Sequence, residues 1–281
     1  MEPAAVYSLD LKSLNKASVL AGDGKLPLIE VDVPELNSSK QRLRLLRQHL
    51  SELPALVFVV ESDVVQLALI EEQSFLAINT GFHGSGLDYR RHKGGGRSEL
   101  IAKAVGLKGG KVPTVIDATA GLGVDAFVLA SLGCQVTLIE RVPAVAALLR
   151  DGLERSRDYA GENDTELEMI LKRMQLVQTD AIAHLDELGQ DNVPDVVYLD
   201  PMFPERKKSA AVKKEMQIFH RLVGPDDDTT QLFEKALFRA RDRVVVKRPR
   251  VAPALTDRQP SHIIEGKRNR YDVYLSLSAQ P

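Results

Sequence analysis

Tryptophan is absent from this chain, aromatic residues supply only 5% of it, and there is one cysteine, Cys134. A lone cysteine excludes an internal disulfide, and the setting Leu132-Gly133-Cys134-Gln135-Val136 reads as a small buried residue rather than a reactive thiol. Neither a C-x-x-C nor an H-E-x-x-H pattern occurs, so no metal site is expected. No apolar run approaches the ~20 residues of a membrane span. The start, Met1-Glu2-Pro3-Ala4-Ala5-Val6-Tyr7, lacks the charged-then-apolar order of a signal peptide. The expectation is a soluble, cytoplasmic protein with no membrane partner and no obligate protein partner. A formal charge of −2 excludes a polycation, so contact with nucleic acid must come from local basic patches.

What is present is the material of an ordinary globular protein, 44% hydrophobic and 27% charged over 281 residues. The charge is uneven. Residues 1–80 hold eleven acids and seven bases, whereas residues 241–270 hold nine bases and three acids. This contrast separates a small N-terminal α+β region, 1–88, from a larger region, 89–281. In the first, Ser39–Leu50 reads as a short basic helix. Leu56–Val60, Val64–Ile70 and Phe75–Asn79 read as strands of an antiparallel meander. In the second, strands are predicted at Thr114–Asp117, Gln135–Glu140, Leu176–Gln178, Val196–Leu199 and Arg243–Val246, closed by a hairpin of His262–Glu265 and Tyr271–Leu277. Helices are predicted at Ser98–Val105, Asp125–Leu132, Pro143–Arg155, Ala181–Leu188 and Thr229–Ala240, with Ser156–Glu168 as a polar loop or frayed helix. Alternating strands and helices imply an α/β fold with a mostly parallel sheet covered on both faces.

Asp117-Ala118-Thr119-Ala120-Gly121-Leu122-Gly123-Val124-Asp125-Ala126 joins the first of these strands to its helix. Gly121 and Gly123 let backbone approach a ligand, and the helix start offers free N–H groups. The spelling also fits a dinucleotide fingerprint, so a nicotinamide-dependent dehydrogenase is a rival reading. The acids around the turn weigh against it. Asp117 and Asp125 would repel a pyrophosphate but suit a ligand with an ammonium and a sulfonium, as in S-adenosylmethionine. Glu140 ends the second strand, where a carboxylate can take ribose hydroxyls of either cofactor. Asp180 ends the third, where it can accept from an adenine amine while the Ala181 N–H reaches a ring nitrogen.

The fourth strand ends in Asp200-Pro201-Met202-Phe203-Pro204. A carboxylate, a stiff turn and an aromatic at a strand's C-terminal end suit a flat base with an exocyclic amine, in the place where open α/β sheets bind ligands. Asp200 can accept the amine hydrogens, Pro201 stiffens the turn and Phe203 can stack on the base. The same logic serves adenine, cytosine or guanine amines, in DNA or in RNA.

With Lys93-Gly94-Gly95-Gly96-Arg97, the glycine turn, Asp200–Pro204, Lys213-Lys214-Glu215-Met216, Leu222-Val223-Gly224-Pro225-Asp226 and Val244–Pro249 in view, the chain resembles class I S-adenosylmethionine methyltransferases, and more narrowly the RsmJ family. The resemblance covers roughly residues 85–275. It implies a Rossmann-like class I methyltransferase sheet and S-adenosylmethionine as cofactor. It implies methylation of the exocyclic N2 of one guanine in 16S rRNA, as free RNA or in the small ribosomal subunit. It places cofactor contacts at Gly121, Val124-Asp125, Glu140-Arg141, Asp180-Ala181 and Asp200, the catalytic role at Asp200 and base contacts at Pro201 and Phe203. Met202 departs from the broader carboxylate/amide-Pro-Pro-aromatic pattern of amino-methyltransferases, which softens the pocket. Candidate RNA contacts are Arg90-Arg91-His92-Lys93, Arg97, Arg206-Lys207-Lys208, Lys213-Lys214, Lys247-Arg248-Pro249-Arg250 and Lys267-Arg268-Asn269-Arg270.

Overall fold

The computed structural model describes residues 1–31, 39–84, 91, 98–201, 218, 221–222 and 228–277. The chain forms two compact units. The first takes the described residues of 1–80, 142–152 and 205–225, and the second those of 81–141, 153–204 and 226–281.

In the first unit, β1 (Pro3–Ser8), β2 (Leu28–Glu30), β3 (Ala55–Glu61), β4 (Val64–Ile70) and β5 (Phe75–Ile78) form one sheet, ordered β2-β1-β3-β4-β5. The antiparallel meander β3-β4-β5 lies where the sequence places it. The parallel pairs of β1 with β2 and β3 were not anticipated. Strands β1 and β2 are joined through α1 (Leu14–Gly24), the crossover that parallel neighbours need. Alternation in β1 turns Ala5 and Tyr7 to a core with Val57, Val59, Ala68 and Ile70. Leu46 of α2 (Ser39–Arg47) joins it, and the Tyr7 hydroxyl donates to the Leu46 carbonyl at 3.2 Å. The β3–β4 turn is Ser62-Asp63, both at positive φ (51° and 62°). A two-residue hairpin asks for that geometry. It is supplied by neither glycine nor asparagine but secured by Asp10, which accepts from Ser62 N–H at 2.7 Å, and by Lys16 on Asp63 at 2.9 Å.

The second unit carries β6 (Val115–Asp117), β7 (Val136–Glu140), β8 (Met174–Gln178), β9 (Val196–Leu199), β10 (Arg243–Pro249), β11 (His262–Glu265) and β12 (Asn269–Leu275), ordered β11-β12-β10-β9-β6-β7-β8. Strands β6 to β10 run parallel, and β12 and β11 return antiparallel as a hairpin. Helices in this part of the chain are α3 (Leu100–Ala104), α4 (Val124–Ser131), α5 (Pro143–Asn163, of which 143–152 group with the first unit), α6 (Thr165–Leu171), α7 (Ala181–Glu187) and α8 (Thr229–Arg239). One face of the sheet, with Ile116, Ile139, Val197, Leu199, Val244 and Val246, packs on Leu185 of α7 and Leu232, Phe233, Ala236 and Leu237 of α8.

The stretch Ser156–Glu168, expected as a polar loop or frayed helix, is ordered helix instead. Helix α5 runs on to Asn163 and α6 starts at Thr165. Its polarity hides a buried stripe of Ser156, Ala160 and Leu167. Asp164 restarts the helix by accepting from Leu167 N–H at 2.9 Å. Among the described residues no helix is long and apolar enough to cross a membrane.

Strand order reverses at β6. The chain steps from β6 to β7 to β8 in one direction, then returns to β9 on the other side of β6. Such a switch point opens a crevice outside the C-terminal strand ends, and β6 and β9 end there at Asp117 and Leu199.

Candidate active site

The strand ends converge because their registers are fixed. Asp117 pairs with Tyr198 and with Leu138, and Val246 pairs with Leu199. One residue further along, Asp200 and Lys247 therefore stand side by side.

Next to them is the glycine turn. Gly121 has φ +54° and Gly123 φ +74°, the left-handed region that a side chain rarely adopts. A Cβ added at Gly121 would meet nothing within 4 Å, so the space beside the turn is open. The Gly121 N–H donates to Glu140 Oε2 at 3.0 Å, which ties the turn to the end of β7. Val124 begins α4 and keeps 38% of its surface exposed, an apolar side chain left uncovered where the turn meets the helix.

At the centre lies a network of three acids and one base. Lys247 Nζ donates to Asp125 Oδ2 at 2.7 Å and to Asp200 Oδ2 at 2.8 Å. The Tyr198 hydroxyl donates to the same Asp125 Oδ2 at 2.6 Å, and the Asp200 N–H to Thr119 Oγ1 at 2.7 Å. Asp117 is buried and accepts from Thr119 N–H at 3.2 Å. Burial, then the charge of Asp125, push its carboxyl from 3.8 up to about 8. Burial also raises Asp200, against the pull of Lys247. Lys247 itself lies above the usual lysine range, because Asp200 and Asp125 outweigh its burial. Burial and then Asp125 lift the Tyr271 phenol to about 12 and the Tyr198 phenol well beyond its ordinary value. Asp200 keeps 40% of its side chain exposed, against 19% for Asp125 and for Lys247. It is the member of the trio that most faces outward.

The other predicted positions lie on the same edge. Asp180 caps α7, its Oδ1 accepting from Ile182 and Ala183 N–H at 3.0 Å each, and Ala181 is buried behind it. Arg141 follows β7 and pairs with Asp228 at 2.6 Å. Pro201 is buried. Phe203 lies outside the described residues, as do Arg90, His92, Lys93–Arg97, Arg206–Lys208 and Lys213-Lys214.

Three of the basic candidates for RNA contact are turned inward. Arg91 is buried in an ion pair with Asp164 at 2.6 Å. Arg248 is buried and donates to the Pro253 carbonyl. Arg270 pairs with buried Asp272 at 2.8 Å and donates to the carbonyls of Arg250 and Ala252. Arg250, Lys267 and Arg268 remain exposed on the segment that Arg270 braces.

Tyr198, Lys247 and Tyr271 are site residues that sequence reasoning missed or assigned elsewhere. Tyr198 sits inside an apolar run that reads as core, and Lys247 inside a basic run that reads as surface. The available signal was register: Lys247 lies one position past the residue paired with the last residue of β9, and Tyr271 pairs with Lys247 across the β10–β12 ladder. A rim of carboxylates with one internal cation, an open glycine turn and an exposed valine can hold a small cationic ligand with an apolar part. It repels a pyrophosphate. That donor set fits S-adenosylmethionine.

Comparison with known proteins agrees with the geometry. The family model "Putative SAM-dependent methyltransferase" matches residues 39–276. The ribosomal RNA small subunit methyltransferase J of Cellvibrio japonicus is 47% identical over 260 residues, covering 92% of each chain. That of Shewanella amazonensis is 53% identical over 218 residues, covering 78% of this chain and 86% of the relative. The crystal structure of a SAM-dependent methyltransferase from Neisseria gonorrhoeae, 36% identical, superposes with a TM-score of 0.68 over 98% of both chains. The chain belongs to this family of S-adenosylmethionine-dependent methyltransferases, the one that includes the ribosomal RNA small subunit methyltransferases J.

Proposed function

We propose that this enzyme methylates the exocyclic N2 of one guanine in small-subunit ribosomal RNA, with Asp200 touching the reacting amine. The observation that carries the reading is the position of Asp200. It follows the last residue of β9 at the switch point, outward-facing, beside an open glycine turn. The names of the relatives support the rRNA substrate. The guanine and its N2 rest on the family resemblance.

When bound, S-adenosylmethionine supplies an electrophilic methyl on a sulfonium. The turn at Gly121–Gly123 and the exposed Val124 are assigned to its apolar and backbone contacts. Asp125 is assigned to its cationic part, Glu140 and Arg141 to the ribose, and Asp180 with Ala181 to the adenine. A guanine amine is a weak nucleophile because its lone pair is delocalised into the ring. Asp200 accepts an N–H of that amine, which lets the nitrogen pyramidalise and turn its lone pair to the methyl. As the N–C bond forms and the C–S bond breaks, positive charge appears on nitrogen. An anionic acceptor stabilises that state more than the ground state. The surplus proton then leaves the nitrogen for Asp200 or for water. Pro201 fixes the turn, and Phe203 is assigned to stack on the base, worth about 1–3 kcal/mol. A base paired or stacked in RNA must be splayed out to reach this edge. Exposed Arg250, Lys267 and Arg268 lie beyond the same strand ends and are assigned to phosphates.

The test is nucleoside mass mapping of small-subunit rRNA from a strain lacking the gene. Loss of one N2-methylguanosine, restored by the wild-type gene and not by Asp200→Ala, is the expected result. An unchanged map overturns the reading.

A further inference from the structure

Lys247 is bonded directly into the acid network, donating to both Asp125 and Asp200. It stands one residue beyond the part of β10 that pairs with β9, beside Asp200, and its ammonium is bonded on two sides by carboxylates. We propose that Lys247 is a positioning residue for methyl transfer: its ammonium, anchored on Asp125, holds the Asp200 carboxylate charged and aimed at the incoming amine. The proposal rests on the assignment of Asp200 as the amine acceptor.

Three observations support it. First, the bridge is fixed from both ends. Asp125 Oδ2 is held by the Tyr198 hydroxyl as well as by Lys247, and Asp200 is held at its backbone by Thr119. Lys247 therefore joins two groups that are already in place, and little side-chain freedom remains to be lost on reaction. Second, Lys247 bonds Asp200 through Oδ2. Oδ1 takes no hydrogen bond from a described residue and is the oxygen left for an amine hydrogen. Third, the surroundings demand a cation. The groups that face Asp200 are Asp117 of β6, Asp125 of α4, Tyr198 of its own strand, Lys247 and Arg248 of β10, and Tyr271 of β12. Burial and Asp125 both favour the protonated form of Asp200, and Lys247 is the foremost opposing influence. A protonated Asp200 would be a donor at one oxygen and could no longer offset positive charge on the amine nitrogen.

A purely structural role would leave the acid limb of the pH–rate profile where it is. We therefore expect the following of single-turnover methylation with the rRNA substrate. In Lys247→Met the acid limb moves to higher pH by about 1–3 units, the usual effect of removing an opposite charge within 4–6 Å. The rate recovers at the alkaline end of the range. Lys247→Arg, which keeps the charge, stays near the wild-type limb. A second readout needs no cofactor: a carbon-13 carboxylate titration of the ligand-free protein, in which the Asp200 resonance titrates at higher pH in Lys247→Met than in wild type. Should Lys247→Met not melt cooperatively, Lys247→Gln replaces it in both measurements. An acid limb and a titration that do not move overturn the proposal, as does a rate lowered by the same factor at every pH. Asp200→Asn separates the two levels of the argument. If it methylates at the wild-type rate, the assignment of Asp200 fails and takes this proposal with it. If it is inert while the Lys247→Met titration does not move, only the role of Lys247 fails.

Discussion

Asp117 is the most deeply buried acid of the site, and its carboxyl, ordinarily at 3.8, sits at about 8. The folded state therefore binds this proton more tightly than the unfolded chain. The resulting stability is fully present below pH 3.8 and is lost as pH rises to about 8. Asp117→Asn removes the titration. Its urea midpoint should gain on wild type between pH 5 and pH 8.5, and a constant difference between the two would refute the assignment. Asp200→Ala should lower transfer by about 10²–10³-fold or more, the usual cost of losing an electrostatic contact made in the transition state. Affinity for S-adenosylhomocysteine, followed by calorimetry, should stay within about tenfold, since Asp200 faces outward. At this scale the strand-end acids were legible in the sequence, because a carboxylate that closes an apolar run marks a strand end. Lys247 and Tyr198 were not. Their roles arise from pairing between β9, β10 and β12, and register between distant segments leaves no local pattern.

At the scale of elements, α5 shows what local polarity conceals. Its second half reads as loop because charged residues crowd the window, yet a stripe of small and apolar residues at helical spacing is buried. Gly152, nearer the middle of the same helix, is a second case. A Cβ there would stand 2.5 Å from Thr80 Cγ2 and 2.9 Å from the Thr80 carbonyl oxygen. Gly152→Ala gains about 0.5–1 kcal/mol of helix propensity. The backbone contact makes overpacking the larger effect, about 1–3 kcal/mol. The variant should unfold at lower urea than wild type, and a higher midpoint would mean that Thr80 yields easily. The meander β3-β4-β5 was legible because its strands are short apolar runs rich in valine and leucine and its turns are short and polar. The parallel partners β1 and β2 were not, since one opens on a proline and the other spans Leu28–Glu30 alone.

For the molecule as a whole, charge asymmetry pointed to an RNA-facing segment at 241–270, and the structure thins it. Arg248 and Arg270 are built into the loop and hairpin, while Arg250, Lys267 and Arg268 stay exposed. Replacing these three by serine should weaken binding of small-subunit rRNA and reduce the slope of log K against log salt by about 2, at roughly 0.7 per phosphate contact on single strands. Cofactor affinity should be unchanged. A slope equal to that of wild type would assign the phosphates to other residues.

Counted as charges near neutral pH, the inner network comprises Asp117, largely protonated, two carboxylates and one ammonium. That leaves one surplus negative charge. S-adenosylmethionine carries one net positive charge, from sulfonium, ammonium and carboxylate together, and S-adenosylhomocysteine carries none. If this network holds the cofactor as proposed, its surplus charge is matched by the donor and left unmatched once the methyl has gone. Calorimetry should then find S-adenosylhomocysteine held less firmly than S-adenosylmethionine, and equal affinities would refute the balance.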